Sequence, residues 1–133
     1  MRPNLLIVGI LGATAVALGA LGAHALKEVL NPTQLESFKT GVLYHILHTL
    51  FLGFVFLLYL NNTSKRLKLI FNLVFWGIIL FSGSIYFLNL RYILNAEFLK
   101  FLGPITPIGG VLFIAGWILL AFESKTIINS KNE

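Results

Sequence analysis

The 133-residue chain has no cysteine, which excludes disulfides, zinc–thiolate centres and cysteine nucleophiles. Aspartate is absent as well, and the acids reduce to Glu28, Glu36, Glu97, Glu123 and Glu133, none inside a long apolar run. Charge of either sign is scarce, at 11% against 57% hydrophobic residues, where soluble domains carry ~25% charge. A water-soluble fold this small cannot bury so much apolar surface, because small domains leave much of their area exposed. Lipid is the solvent that fits. The net charge of +5 does not point to nucleic acid, since the basic residues are scattered or form one short group. It reads as loop charge beside anionic headgroups. Membrane lipids are the expected partners, and a second copy or another membrane protein is left open.

Long apolar runs are plentiful. A hydrocarbon core of about 30 Å takes about 20 helical residues, and four stretches qualify, at about 5–26, 40–60, 69–90 and 105–122. Helices are expected because backbone in lipid must satisfy its own hydrogen bonds. The chain therefore reads as an all-α membrane protein, an antiparallel bundle of four transmembrane helices with both termini on one side. The bundle occupies residues 1–124, followed by a polar tail at 125–133. Asn31-Pro32-Thr33-Gln34 supplies a cap, a first-position proline and a capping-box glutamine, so a helix should start near Pro32 and run on into the second span. Asn61–Lys68 reads as a polar, basic turn. Asn95 is expected to cap a short amphipathic segment, Ala96–Leu102, stopped by Gly103 and Pro104. Thr106-Pro107 resembles another helix start, with threonine as cap.

Loop charge gives an orientation. Arg2, Lys65, Arg66, Lys68, Lys125 and Lys131 fall on the side of the termini, and Lys27, Lys39, Arg91 and Lys100 on the other. Six against four places both termini in the cytoplasm of a multi-pass inner (plasma) membrane protein. Ala23-His24-Ala25 fits a signal-peptidase site, but the apolar run from Leu5 to Ala23 exceeds the usual 7–15 residues of a signal core. The first span is expected to be retained. Its Gly9, Gly12, Ala13, Ala20 and Ala23 share a face, a pattern of close helix packing.

This topology gathers the unusual residues in the outer half of the bundle. His24 ends the first span, and Tyr44, His45 and His48 lie early in the second. Ser82, Ser84 and Tyr86 lie late in the third, and Thr106, Gly109 and Gly110 open the fourth. At 100° per residue, Gly41, Tyr44, His45 and His48 occupy about a third of the second helix. Polar groups within a membrane tend to face the bundle interior, so His24, Tyr44, His48, Ser82, Ser84, Tyr86, Thr106, Gly109 and Gly110 are expected to outline a ligand pocket. The helix start would favour an anion or a carbonyl, and the glycines would allow close approach.

The strings GALGAHAL (Gly19–Leu26), YHILH (Tyr44–His48), LFSGSIY (Leu80–Tyr86), TPIGG (Thr106–Gly110) and FIAGW (Phe113–Trp117) carry a resemblance. In that order they resemble the domain-of-unknown-function 423 family of small bacterial membrane proteins, to which eukaryotic transmembrane protein 256 is similar. The resemblance implies a four-helix membrane protein and no assigned activity. It matches His24 and His48 to motif positions. His45 stands where glutamine is expected of other members, so a site requiring His45 would be particular to this chain.

Four function classes compete. His24, His45 and His48 could hold a metal or haem, since three neutral imidazoles leave an open coordination position. No carboxylate lies near to orient the rings, and the sequence names no cofactor. The plainer and favoured reading is that the histidines hydrogen-bond across helices to Tyr86, Ser82, Ser84 or backbone carbonyls. An intramembrane hydrolase would use Ser82 or Ser84 with His48 as base, but Leu80-Phe81-Ser82-Gly83 lacks the first glycine of the rhomboid-type motif. A carrier would show internal repeats, and none is evident. A binding or assembly role for the outer pocket remains as the preferred expectation, with Tyr44, Tyr86 and Tyr92 as alternative interfacial anchors.

Overall fold

The computed structural model describes residues 2–129, with the side chains of residues 4–123. The final part of the expected tail, including Lys131 and Glu133, lies outside the described residues. Among the described residues every regular element is helical, and four helices are long and apolar enough to cross a membrane.

Helix α1 covers Arg2–Ala23 and passes through a short 3₁₀ turn, Ala25–Glu28. Helix α2, Pro32–Asn61, starts on the expected capping box. The Asn31 side chain accepts from the Gln34 N–H at 2.9 Å, and Gln34 Oε1 accepts from the Asn31 N–H at 3.0 Å. Its 30 residues measure about 45 Å, enough for the apolar core and both headgroup layers. Ser64 caps helix α3, Lys65–Ile78, by accepting from the Arg66 N–H. A π-helical segment, Ile79–Gly83, leads without a break into helix α4, Ser84–Leu94, so α3, the π segment and α4 form the third span.

The next junction differs from expectation. Asn95 does not cap the following segment; it adopts a left-handed conformation (φ 51°) and closes α4, with its N–H bonded to the Arg91 carbonyl. A short polar side chain tolerates that conformation better than most, so asparagine serves either helix end. A 3₁₀ segment, Glu97–Leu102, follows, and helix α5 runs over Ile105–Asn129. Thr106 therefore lies inside the first turn of α5 instead of capping it. Pro107 fits there because first-turn N–H groups have no acceptor within the helix. At the other end α5 continues well past the expected limit of the fourth span.

Neighbouring spans are antiparallel. Along α1 and α2, Gly22 faces Phe38, Gly19 faces Val42, Gly12 faces Thr49 and Val8 faces Gly53. α2 meets the third span through Phe38 and Tyr86 at one end and Tyr59 and Lys68 at the other. α5 meets it through Thr106 and Ser84, then through Glu123 and Arg66. The second and third spans are central, each 44% buried over its most apolar stretch, against 17% for the first and fourth. The principal contacts of α1 are with α2, while α5 lies along α3. Leu52, Val55, Leu67, Ile70, Val74 and Ile78 form the innermost layer of the core. Large apolar side chains on the outer faces, such as Leu6, Val16, Leu50, Val111 and Ile114, are exposed, as a lipid-facing surface requires.

The small residues of α1 pack differently from expectation. Among the described residues of α1, Leu11, Ala15 and Gly22 are the buried positions, and Gly12 and Gly19 flank them against α2. A methyl group added to Gly9 would meet nothing within 4 Å, and Ala13, Ala20 and Ala23 are exposed. The face of Gly9, Ala13 and Ala20 lies almost opposite the seam, because bulkier Leu11 and Leu18 turn towards the rest of the protein. Close glycine packing is concentrated between the third span and α5. A methyl group on Gly77 would stand 2.6 Å from the Phe113 ring, and one on Gly116 would stand 2.6 Å from Val74.

Candidate functional site

The expected outer-half pocket divides into two places on adjacent flanks of α2. His45 and His48 are three residues apart, so their directions differ by about 60°. That difference sends them to different neighbours. His45 turns to α4, where its Nδ1 lies 3.0 Å from the Tyr86 hydroxyl. His48 turns to α5, where its ring stacks on Phe113 at 3.5 Å between centroids and 12° between planes.

His48 has a partner at each ring nitrogen. Its Nδ1 lies 2.9 Å from the Tyr44 carbonyl, which can only accept, so Nδ1 carries the hydrogen. Nε2 then accepts from the Trp117 indole N–H in a long contact of 3.4 Å. Trp117 itself stacks on Phe51 at 4.0 Å. Tyr44 packs against Phe81 and is more than a third exposed. This flank is an aromatic cluster in which both ring nitrogens of His48 and the Trp117 indole N–H are occupied.

His45 differs. It is 4% exposed, and its Nε2 is buried with no hydrogen-bond partner. It contributes to a cleft of about 520 Å³ between α1 and the third span. Leu11, Thr14 and Leu18 form the α1 wall, and Ile79, Ser82, Ser84, Tyr86 and Phe87 belong to the opposite wall. Leu102 and Ile105 border it at the end where α5 begins. Tyr86 is buried here, so it is not an interfacial anchor; Tyr92, at the end of α4, is exposed beside the Arg91 guanidinium.

The π segment positions this wall. Its wider turn coincides with a place where Gly109 of α5 meets the backbone of Phe81. Ser82, fully buried, donates to the Gly41 carbonyl of α2 at 2.7 Å. Gly41 leaves room for the third span, since a methyl group there would stand 2.9 Å from Ile85. Ser84 contacts the Phe81 carbonyl and the Thr106 hydroxyl. Both serine hydroxyls thus serve contacts within or between spans, and neither is paired with a histidine. Gly110 lies beside the Phe81 ring at ordinary contact distance.

His24 joins neither flank. It is exposed at the end of α1, just before the 3₁₀ turn. The three histidines therefore do not form a set, and among the described residues no group of three His, Cys, Asp or Glu side chains could hold a metal. The sequence could not resolve this, because helical periodicity allows adjacent faces but does not say which neighbour each face meets. An ion pair buried on one side was also missed. Glu123 of α5, 2% exposed, binds Arg66 at the start of α3 at 3.0 Å.

Comparison with known proteins adds the family relationship. Residues 18–110 match the family described as "Protein of unknown function (DUF423)". The UPF0382 membrane protein of Staphylococcus epidermidis is 41% identical over 120 residues, covering 90% of this chain and 93% of that protein. The UPF0382 membrane protein YwdK of Bacillus subtilis is 39% identical, covering 86% and 90% of the two chains. The UPF0382 inner membrane protein YgdD of Escherichia coli K12 is 35% identical, covering 90% and 86%. No solved structure matches.

Proposed function

This chain belongs to the DUF423 family of membrane proteins, and from that premise we propose that it is a binding protein of the inner (plasma) membrane with both termini in the cytoplasm. Its ligand site is the cleft between α1 and the third span, and the ligand is lipophilic. The observation that carries this reading is a buried polar pair, His45 and Tyr86, beside a mostly aliphatic space large enough for a small ligand. Polar groups at this depth are costly, and those retained there tend to be functional. The serines support binding in preference to hydrolysis, because their hydroxyls are committed to helix contacts.

Native mass spectrometry of the protein released from mild detergent tests the reading. Wild type should keep one lipophilic adduct at collision energies that strip annular lipid. Thr14→Trp, at an exposed position on the cleft wall, should lose it, while Ile114→Trp on the lipid face of α5 should keep it. Equal loss of adducts in all three proteins would overturn the cleft as a binding site.

A further inference from the structure

Resting on that reading, we infer that the cleft selects an apolar molecule carrying a carbonyl oxygen, which accepts a hydrogen bond from Nε2–H of His45. The inference follows from the direction of the hydrogen bond between His45 and Tyr86. A neutral imidazole has one N–H donor and one acceptor nitrogen. If Nδ1 carried the hydrogen, the Tyr86 oxygen would accept it, and the Tyr86 hydroxyl hydrogen would need another acceptor. Among the described residues, the only hydrogen-bond contact of that hydroxyl is His45 Nδ1. The arrangement that leaves fewer atoms unmet has Tyr86 donating to Nδ1, which places the hydrogen on Nε2.

Nε2–H is therefore a buried donor without an acceptor. His48 shows the contrast three residues on, where the hydrogen sits on Nδ1 and Nε2 is itself an acceptor with a partner. His45 lies about 20 Å along α2 from Pro32, within the apolar part of the span. At that depth bulk water is not at hand to complete the bond, and an unmet donor costs more than in a soluble protein. An acceptor that arrives on an apolar skeleton fits both the donor and the Leu11, Leu18 and Ile79 walls. Small shifts of the surrounding side chains bring it to Nε2, and α1 permits them because its principal contacts are with α2 alone among the spans.

Two sources supply this chemistry, the ester carbonyl of a glycerophospholipid and the ring carbonyl of a lipophilic quinone. Matched probes separate them. Protein labelled with ¹⁵N-histidine is placed in nanodiscs of ether-linked phosphatidylcholine, which has no ester carbonyl. It is then titrated with diester phosphatidylglycerol against its diether analogue, and with a decyl-substituted benzoquinone against decylbenzene. The expected result is about tenfold tighter binding of the carbonyl-bearing member of one pair, with a shift of the His45 Nε2–H resonance. The pair that discriminates identifies the source.

His45→Phe should abolish that preference. His45→Gln, which keeps one acceptor for Tyr86 and one donor for the ligand, should retain it. The comparison on wild type needs no variant, so a variant that fails to fold leaves the test intact. Equal binding of both members of each pair, blocked by Thr14→Trp, would overturn the carbonyl inference and leave the cleft as a site. Absence of any Thr14→Trp-sensitive binding would overturn both.

Discussion

Gly109 of α5 lies against the backbone of Phe81 so closely that a methyl group on it would overlap the Phe81 amide nitrogen. Because the obstacle is backbone, no side-chain rotation relieves it. Gly109→Ala should therefore push α5 away from the π segment and cost about 1–3 kcal/mol or more. Gly110→Ala meets only the Phe81 ring at ordinary contact distance, and Gly9→Ala meets nothing within 4 Å. Both should stay within about 0.5 kcal/mol of wild type. Unfolding in mixed detergent micelles measures all three. Equal stability of Gly109→Ala and Gly110→Ala would show that the close approach is absent.

His48 should behave as a packing residue. His48→Phe keeps a ring on Phe113 but removes the bonds to the Tyr44 carbonyl and the Trp117 indole, for a loss of about 1 kcal/mol. His48→Ala also leaves a void in the aromatic cluster and should cost about 3 kcal/mol. The same micelle unfolding, followed by Trp fluorescence, reads both, since Trp117 reports this flank directly. A stability order reversed from this one would remove the stacking from the account.

The ion pair between Arg66 and Glu123 links the first turn of α3 to α5 with unequal burial, at 46% and 3% side-chain exposure. The exposed arginine keeps part of its hydration, so the pair is weaker than one buried on both sides. Glu123→Ala leaves a half-exposed cation that water can solvate, and should cost about 1–2 kcal/mol. Arg66→Ala leaves a buried carboxylate and should cost more. A double-mutant cycle gives the coupling directly, and a value near zero would mean that the pair contributes nothing.

Much of this fold was legible because its determinants are local. Apolar length sets the spans, and the Asn31–Gln34 box starts α2 where the residues demand it. The features that were not legible depend on neighbours. Asn95 could close one helix or open the next, and only the path of the chain decides. The π segment depends on how the third span meets α2 and α5. The glycines of α1 shared a face on paper, yet the seam formed on Leu11 and Ala15, because a helix buries whichever side its neighbour can fill. The candidate site was legible as a set of polar residues and not as an arrangement. YHILH showed two histidines near one face, while the 60° between them was enough to give His48 two partners and to leave one ring nitrogen of His45 without any.

The membrane orientation can be tested without background because the chain has no cysteine to replace. Thr63 lies in the turn between α2 and α3, and Glu97 begins the 3₁₀ segment at the opposite end of the bundle; both are exposed. Single Thr63→Cys and Glu97→Cys variants disturb little, since Glu97 contributes only a surface pair with Lys100. Basic residues favour the Thr63 side by six to four, and the retained side of a membrane protein is the one richer in short-loop lysine and arginine. In intact cells a membrane-impermeant maleimide should therefore label Glu97→Cys, with the outer membrane permeabilised where one is present. Thr63→Cys should react only after the plasma membrane is disrupted. The reverse pattern would place the termini outside and move the Pro32 end of the cleft to the cytoplasmic leaflet. Labelling of both before disruption would contradict a chain that crosses the bilayer between Thr63 and Glu97.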